Sequence, residues 1–539
     1  MSSFRERCPV YFLVLSVFIF CAPMLLHPGL PFGNDLSFHL SRIASLKEAF
    51  AAGVFLPGVY SDYFSGMGYG VGLFYPDLFL YIPVALSLLG LKAVTAYKIY
   101  LMLLTAAMAW TMYLAVRRMG FSKMAAAISG TVYLFASFHT TDVYIRSSLG
   151  EIQAFVFLPL VLAGFADILW GCGNRLGMLV LGYSGLVLSH ILTTVVTTLL
   201  LVLMTVVFAK QWLREPERFK MLLVAAGFSF FLTAFFTLPM LEQMAFNPIW
   251  GDRGLNGHVA DWAVPLGQLI LAVPRLLGAE GVMPAGVGLS LCVWGVLGLI
   301  QKDQRLRGFT ICGGLLLWMA SKLFPWQIFG GMFQTLQFPW RLYLFVTLFF
   351  AMAAGPALLS VFTRKRTVCL AGGALMAVML ATFGAQMTFI YGQYQSVSEN
   401  PYAAFPAGCE YLPAAMDYGT LMEKSETAKA SAWQDGVYHF EITTPGETLP
   451  LIYYPGYEAS IEKIDDQGNS VRQDLRAGRS AQGFVILEDG VTGRGTLCYR
   501  GTPLRQWTRW LSLVSAAVFL IYSNRRRKNN DTKKYFSTD

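Results

Sequence analysis

The chain has 539 residues, of which 55% are hydrophobic, 14% aromatic and only 14% charged, with a mean hydropathy of +0.51 and a formal net charge of +9. An ordinary soluble protein is excluded, because apolar stretches of about 20 residues recur, the length needed to cross a hydrocarbon core of about 30 Å. The stretches are continuous rather than alternating, which predicts helices and not a barrel. The basic excess does not signal nucleic-acid binding, since it falls mostly in short loops between apolar runs, where Lys and Arg set orientation.

Residues 9–26 follow the basic "FRER", and no small-residue cleavage site comes after Leu26, so they read as a retained first helix and not a removed signal peptide. "PFGNDLSFHLSRI", residues 31–43, then places Asp35, His39 and Arg42 within eight residues at the membrane edge. Residues 73–91, "LFYPDLFLYIPVALSLLGL", are nearly long enough to cross. Crossing would turn every later basic loop outward, and Pro76, Asp77 and Pro83 interrupt a uniform helix. The segment is therefore expected to lie on or dip into the outer leaflet, making residues 27–95 one large outer loop. Gly66, Gly68, Gly70 and Gly72 in "SGMGYGVG" have neither the Lys-Ser/Thr nor the preceding strand of a nucleotide loop, and are expected to let the backbone turn tightly.

Orientation by loop charge gives twelve spans at about 9–26, 96–116, 124–138, 152–170, 176–189, 191–208, 221–241, 283–300, 308–320, 341–362, 367–390 and 508–522. The loops then assigned to the cytoplasm hold 22 of the 41 Lys and Arg residues, and both termini are cytoplasmic. Residues 391–506 change character: "GVYHFEITT", "TLPLIYYPGYEASIEKI" and "QGFVILEDG" alternate between Gly, Asn and Asp turns and predict a small extracytoplasmic β-rich domain. The expected organisation is a transmembrane domain over 1–390, the β-rich domain over 391–506, and a last helix with a basic cytoplasmic tail over 507–539. Eight cysteines show no CxxC or Cys/His spacing, which argues against a structural metal; Cys409 and Cys498 are a candidate extracellular disulfide.

Ionisable groups at membrane depth are costly, so each carries a functional and a bland reading. Here they gather on the outer face: Asp35, His39 and Arg42; then His139, Asp142, Arg146 and Glu151 in "SFHTTDVYIRSSLGE"; His190 in "LSH"; Glu242, Asp252, Arg253, His258 and Asp261; and Lys322, Trp340 and Arg341. Asp35 reads either as a helix N-cap or as a general base for a hydroxyl proton. Arg146 and Arg341 either snorkel to lipid head groups or clamp a phosphate. Glu151 either complements the dipole of the helix it opens or does chemistry, and His190 is either a packing histidine or part of the site.

The ordered set "GNDLSFHLSRI", "GMGYGVGLFYPDLFLYIP", "TAYKIYL", "DVYIRSSLGE", "LSH", "LQFPWRL", "EYLP", "LIYYPGY" and "YRGT" resembles the bacterial YfhO-type membrane proteins, including the group called 6-pyruvoyl-tetrahydropterin-synthase-related. That family in turn resembles the GT-C glycosyltransferases, polytopic α-helical enzymes that take sugar from a polyprenyl-phosphate donor. The resemblance implies about 12 transmembrane helices, an extracytoplasmic active site in the plasma membrane, and an envelope glycan or glycolipid acceptor. It implies Asp35 as the first-loop acid and general base, with Glu151 or Asp142 as the second-loop acid and His39 in support. Arg146, Arg341 and His190 would bind the donor phosphate, and Arg42, Tyr69, Tyr75, Asp142 and Trp340 would line the substrate. Asn34 stands where the class often has a second adjacent acid, so a divalent metal is possible but not required by the sequence, and no other cofactor is implied. The competing expectations are a transporter or lipid flippase, which should carry polar groups near mid-bilayer and paired halves not visible here, and a non-catalytic envelope scaffold.

Overall fold

The computed structural model describes residues 2–30, 33–171, 173, 175–250, 258–272, 286–392, 409–428, 432–464, 470–487 and 492–536. Pro31, Phe32, Asp252, Arg253, the first three residues of the expected span 283–300 and the whole stretch 393–408 lie outside them.

The long helices are α1 (Ser2–Leu26), α2 (Leu36–Ala51), α3 (Tyr81–Leu88), α4 (Ala93–Arg118), α5 (Lys123–Leu134), α6 (Leu149–Trp170), α7 (Leu176–Val187), α8 (Ile191–Val207), α9 (Pro216–Phe246), α10 (Leu289–Leu299), α11 (Gln304–Met319), α12 (Leu342–Val361), α13 (Lys365–Gly392) and α14 (Pro503–Phe536). Every expected span meets one of them. Among the described residues, however, only six helices are long and apolar enough to cross a bilayer alone: Glu6–Leu26, Ala93–Arg118, Leu149–Trp170, Pro216–Phe246, Pro339–Val361 and Lys365–Ile390. The expected span 124–138 shows why the count falls. Its helix stops at Leu134, because Ala136 takes an extended conformation (φ −59°, ψ 135°) and a new short helix, Ser137–Thr141, begins.

Residues 73–91 do not form one helix. A 3₁₀ turn at Leu78–Leu80 leads into α3, so Leu78–Leu88 spans about 16 Å at 1.5 Å per residue, about half of a hydrocarbon core. Before it, Gly66 and Gly68 sit at φ 97° and 82°, conformations that a Cβ would strain, and fold the chain back so that Tyr60 and Tyr69 exchange both backbone hydrogen bonds at 2.9 Å.

Seven antiparallel strands make one sheet in the order β1-β2-β7-β4-β5-β6-β3, with β1 Trp433–Gln434, β2 Val437–Ile442, β3 Thr448–Ile452, β4 Tyr457–Ile464, β5 Ser470–Arg479, β6 Phe484–Leu487 and β7 Gly493–Tyr499. In β2 the alternation expected from sequence buries Tyr438, Phe440 and Ile442 on one face. The sheet is clasped to the helices rather than tethered. Gln243 Nε2 donates to Pro455 O (2.8 Å), Arg479 Nη1 to Asn247 Oδ1 (2.6 Å), Ile452 N to Met67 O (2.9 Å) and Trp433 Nε1 to Gly66 O (2.7 Å). Cys409 and Cys498 are both free thiols, which corrects the candidate disulfide. Cys498 faces Glu458 in the β4–β7 ladder, whereas Cys409 belongs to a segment packed against Tyr69 and Phe74.

Candidate active site

Asp35 precedes α2 at the N-cap position, yet its side chain makes no capping hydrogen bond. Its backbone N–H donates to Arg146 O (2.9 Å), and its Oδ2 accepts from Ser148 Oγ (3.1 Å), so the carboxylate is held by the connection that opens α6 rather than by its own helix. It is half-buried. Burial pushes its carboxyl above the ordinary range; Arg146 and the Ser148 hydroxyl pull it back, Glu151 raises it, and Arg341 lowers it.

The Arg146–Ser148 connection is itself unusual. Asp142–Arg146 is a single π-turn, a form found often at functional sites, and Ser147 follows in the left-handed region at φ 54°. Gly33 permits the close approach of this connection, since a Cβ there would lie 2.0 Å from Ser147 Oγ.

Arg146 forks onto Glu151, with Nη1 to Oε2 at 2.9 Å and Nη2 to Oε1 at 3.0 Å, and donates to Asp142 Oδ1 at 2.5 Å. Asp142 and Glu151 are 0% and 1% exposed. Asp142 therefore does not line a substrate surface; burial, and then Glu151 beside it, push its carboxyl well up. Arg146 is saturated by two carboxylates, which leaves it little capacity to clamp a phosphate as expected.

Arg341 differs. Its Nε forms only a loose ion pair with Glu151 Oε1 at 3.7 Å, beyond hydrogen-bond reach, and among the described residues neither its Nε nor its Nη1 has a hydrogen-bond partner. It lies 5.5 Å over the Phe338 ring. Trp340 stacks on Phe338 (4.3 Å, 6°) and meets Trp262 edge-on (5.5 Å), forming a half-exposed aromatic wall beside the Arg341 guanidinium. Trp262 was not singled out by sequence reasoning.

His39 is 1% exposed, with Leu149 N 3.3 Å from Nε2 and Arg42 Nη1 3.2 Å from Nδ1. Burial and the adjacent Arg42 hold it well below the usual imidazole range. A neutral imidazole has one acceptor nitrogen, so only one contact is a full hydrogen bond, and neither nitrogen is left for a substrate. Arg42 likewise does not line the substrate. It is 1% exposed, donates Nη2 to Asp77 Oδ1 (2.5 Å) and Pro76 O (3.0 Å), and sits 4.1 Å over Tyr75, while Tyr60 OH donates to Asp77 Oδ2 (2.7 Å). This network ties α2 to the segment before α3.

Tyr69 is 0% exposed, and its hydroxyl accepts from Tyr411 N (3.1 Å), so it is a strut and not a lining residue. Tyr75 is half-buried and reaches the site: a Cβ on Gly150 would stand 2.1 Å from its hydroxyl and 2.9 Å from His190 Cδ2, so only glycine fits below the pair. His190 caps α8, its Nδ1 taken up by Thr193 (2.7 Å to Oγ1).

A residue missed in the sequence arrives from the segment before the sheet. Tyr411 stacks on Phe74 (5.7 Å, 4°), and its carbonyl accepts from Tyr454 OH (3.0 Å), which brings half-buried Glu410 within electrostatic reach of Asp35 and Arg341. Burial raises its carboxyl, and the negative charge of Asp35 adds to the rise. The motif "EYLP" was the only signal available. Among the described residues no three His, Cys, Asp or Glu side chains converge as a metal-binding group.

Comparison with curated protein sequences gives no match. Among solved structures, the chain is similar to the arabinofuranosyltransferase AftD from Mycobacteria (15% identity, TM-score 0.41) over 71% of this chain and 27% of that one. It is also similar to the Archaeoglobus fulgidus oligosaccharyltransferase in its apo form (14% identity, TM-score 0.43) over 74% of this chain and 57% of that one. The chain thus spans about a quarter of the first and just over half of the second. Residues 73–391 match the model of the 6-pyruvoyl-tetrahydropterin synthase related domain, described as a membrane protein. That match takes in more than half of the 539 residues, and the chain belongs to this family of membrane proteins.

Proposed function

We propose that this protein is a GT-C-like membrane glycosyltransferase that moves a sugar from a polyprenyl-phosphate donor to an envelope glycan or glycolipid on the extracytoplasmic face. The observation that carries the reading is the pairing of a carboxylate left free by its helix cap, Asp35, with a guanidinium left free of hydrogen bonds on two nitrogens, Arg341, beside an aromatic wall. The buried, ion-paired Arg146–Glu151–Asp142 cluster lies behind them.

In this reading Asp35 takes the proton of the acceptor hydroxyl as that oxygen bonds to the anomeric carbon. The bond from that carbon to the donor phosphate oxygen breaks in the same displacement, inverting the centre. The phosphate leaves with the electron pair, and Arg341 stabilises the charge that develops on it. The raised carboxyl of Asp35 makes it a stronger base than a solvated aspartate. His39 and Arg42 position α2, Tyr75 and His190 frame the entrance over Gly150, and Trp340 with Trp262 offers a face for the sugar or the first isoprene units.

The test is sugar transfer by the purified full chain from a panel of short-chain polyprenyl-phosphate sugars to a glycolipid acceptor, followed by mass spectrometry. Transfer with inversion supports the reading. Absence of transfer from every donor, with the protein folded, overturns it.

A further inference from the structure

Away from the Asp35 cluster, two arginines near the start of α14 have no counter-charge. Arg505 is 7% exposed and Arg509 half-buried, and both donate through Nη2 to one carbonyl, Leu56 O, at 2.9 Å and 3.3 Å. Among the described residues neither forms an ion pair with Asp or Glu. Asp77, which lines the same cavity, is ion-paired with Arg42 and accepts from Tyr60, and Glu242 accepts from the Thr502 hydroxyl. Two guanidiniums converging on one carbonyl repel each other, and a single peptide dipole does not neutralise them.

The carbonyl is deliberately aimed. Leu56 lies in the left-handed region at φ 53°, a conformation costly for a bulky side chain, and its N–H is fixed by donation to Tyr81 OH (2.9 Å). The cavity in front of the arginines is completed by apolar side chains, Leu78, Leu188, Phe235 and Phe236. Around it α14 and the loop carrying Leu56 expose large apolar side chains: Phe55 is 61% exposed, Trp507 74% and Trp510 67%, tryptophans of the kind that anchor helices at membrane interfaces.

We infer that Arg505 and Arg509 form a binding site for the phosphate of a membrane lipid, separate from the Asp35 centre. Two planar forks match phosphate oxygens, and the apolar rim takes the acyl chains. Free phosphate shares the head-group chemistry but gains nothing from the exposed apolar rim. The inference does not depend on the transferase reading, because it is read by binding and not by turnover.

The test is native mass spectrometry of the delipidated full-length protein titrated with dioleoylphosphatidylglycerol, with dioleoylglycerol and inorganic phosphate as separate competitors. Wild-type protein is expected to retain one phosphatidylglycerol that neither competitor displaces at equal concentration. Arg509→Gln, whose side chain is half-buried and makes one 3.3 Å bond, should keep the fold and weaken binding about tenfold, the loss expected for one charge-assisted contact. Arg505→Gln with Arg509→Gln should reduce it to background. Unchanged binding in Arg509→Gln overturns the site. Displacement by dioleoylglycerol overturns the phosphate contact, and displacement by inorganic phosphate overturns the lipid as occupant.

Discussion

Asp35→Asn separates a catalytic carboxylate from a structural one. A structural role would show in stability, but among the described residues the only side-chain hydrogen-bond partner is Ser148 Oγ at 3.1 Å, a bond that the Asn carbonyl also accepts, and no cap is lost. Asp35 also has its carboxyl raised by burial, so folding favours its protonated form. The linked stability is full below the unfolded-state value near 4 and is lost as pH rises through the raised folded value; at neutral pH the charge is a net cost that Asn removes. The unfolding midpoint of Asp35→Asn in detergent at pH 7 is therefore expected to match or exceed wild type, and to lose part of the wild type's fall between acid and neutral pH. Catalysis moves the other way. Loss of a general base costs about 10²–10⁴ in rate, equivalent to about 3–5 kcal/mol of barrier. The assay is initial-rate sugar transfer from the best polyprenyl-phosphate donor across pH. Wild-type rate should rise with pH through the raised carboxyl of Asp35, and that limb should be missing from the variant. A monodisperse Asp35→Asn protein with transfer within about threefold of wild type would show that Asp35 is not the base.

Arg341→Gln should fold normally, because two of its nitrogens have no partner, and should lower transfer about 10²–10³-fold, as for loss of one preorganised charge-stabilising group; full activity would remove it from the leaving-group role. Arg146→Met should instead lose fold stability, since it leaves Asp142 and Glu151 buried without their cation, at a cost of about 3–5 kcal/mol; an unchanged unfolding midpoint would contradict the buried-network reading. Glu410→Gln removes a negative charge that couples to Asp35, so the rising limb of the pH–rate profile should move to lower pH; a shift upward or none would place Glu410 outside the site. Cys409 and Cys498 should both alkylate in unfolded, unreduced protein, seen as two mass additions in their peptides, and failure of both would restore the disulfide.

Much of the architecture was legible because it rests on local properties. Apolar run length marks the helices, Pro76 stands in the break that shortens the segment at 73–91, and period-two alternation marks strands such as β2. Asp35, Glu151 and Arg341 stood out by charge near membrane depth. Which of them are available for chemistry was not legible. Arg146 and Arg341 look alike in sequence, and Arg42 looks as free as either.

The sequence alone determined a polytopic helical chain, an interrupted apolar segment at 73–91, and a β-rich stretch near the C-terminus. Only the tertiary structure decided which charges cancel. Glu151 and Asp142 lie within five residues of Arg146 and close on it through a π-turn, whereas Asp77 reaches Arg42 from 35 residues away. Arg341 keeps only a loose 3.7 Å ion pair to Glu151, and among the described residues its Nε and Nη1 meet no hydrogen-bond acceptor. Glu410 joins the site only because Tyr411 docks on Phe74, far away in the chain. A hydrogen bond in a low-dielectric interior depends on a few ångströms of packing, and sequence spacing carries no information about contacts of that range.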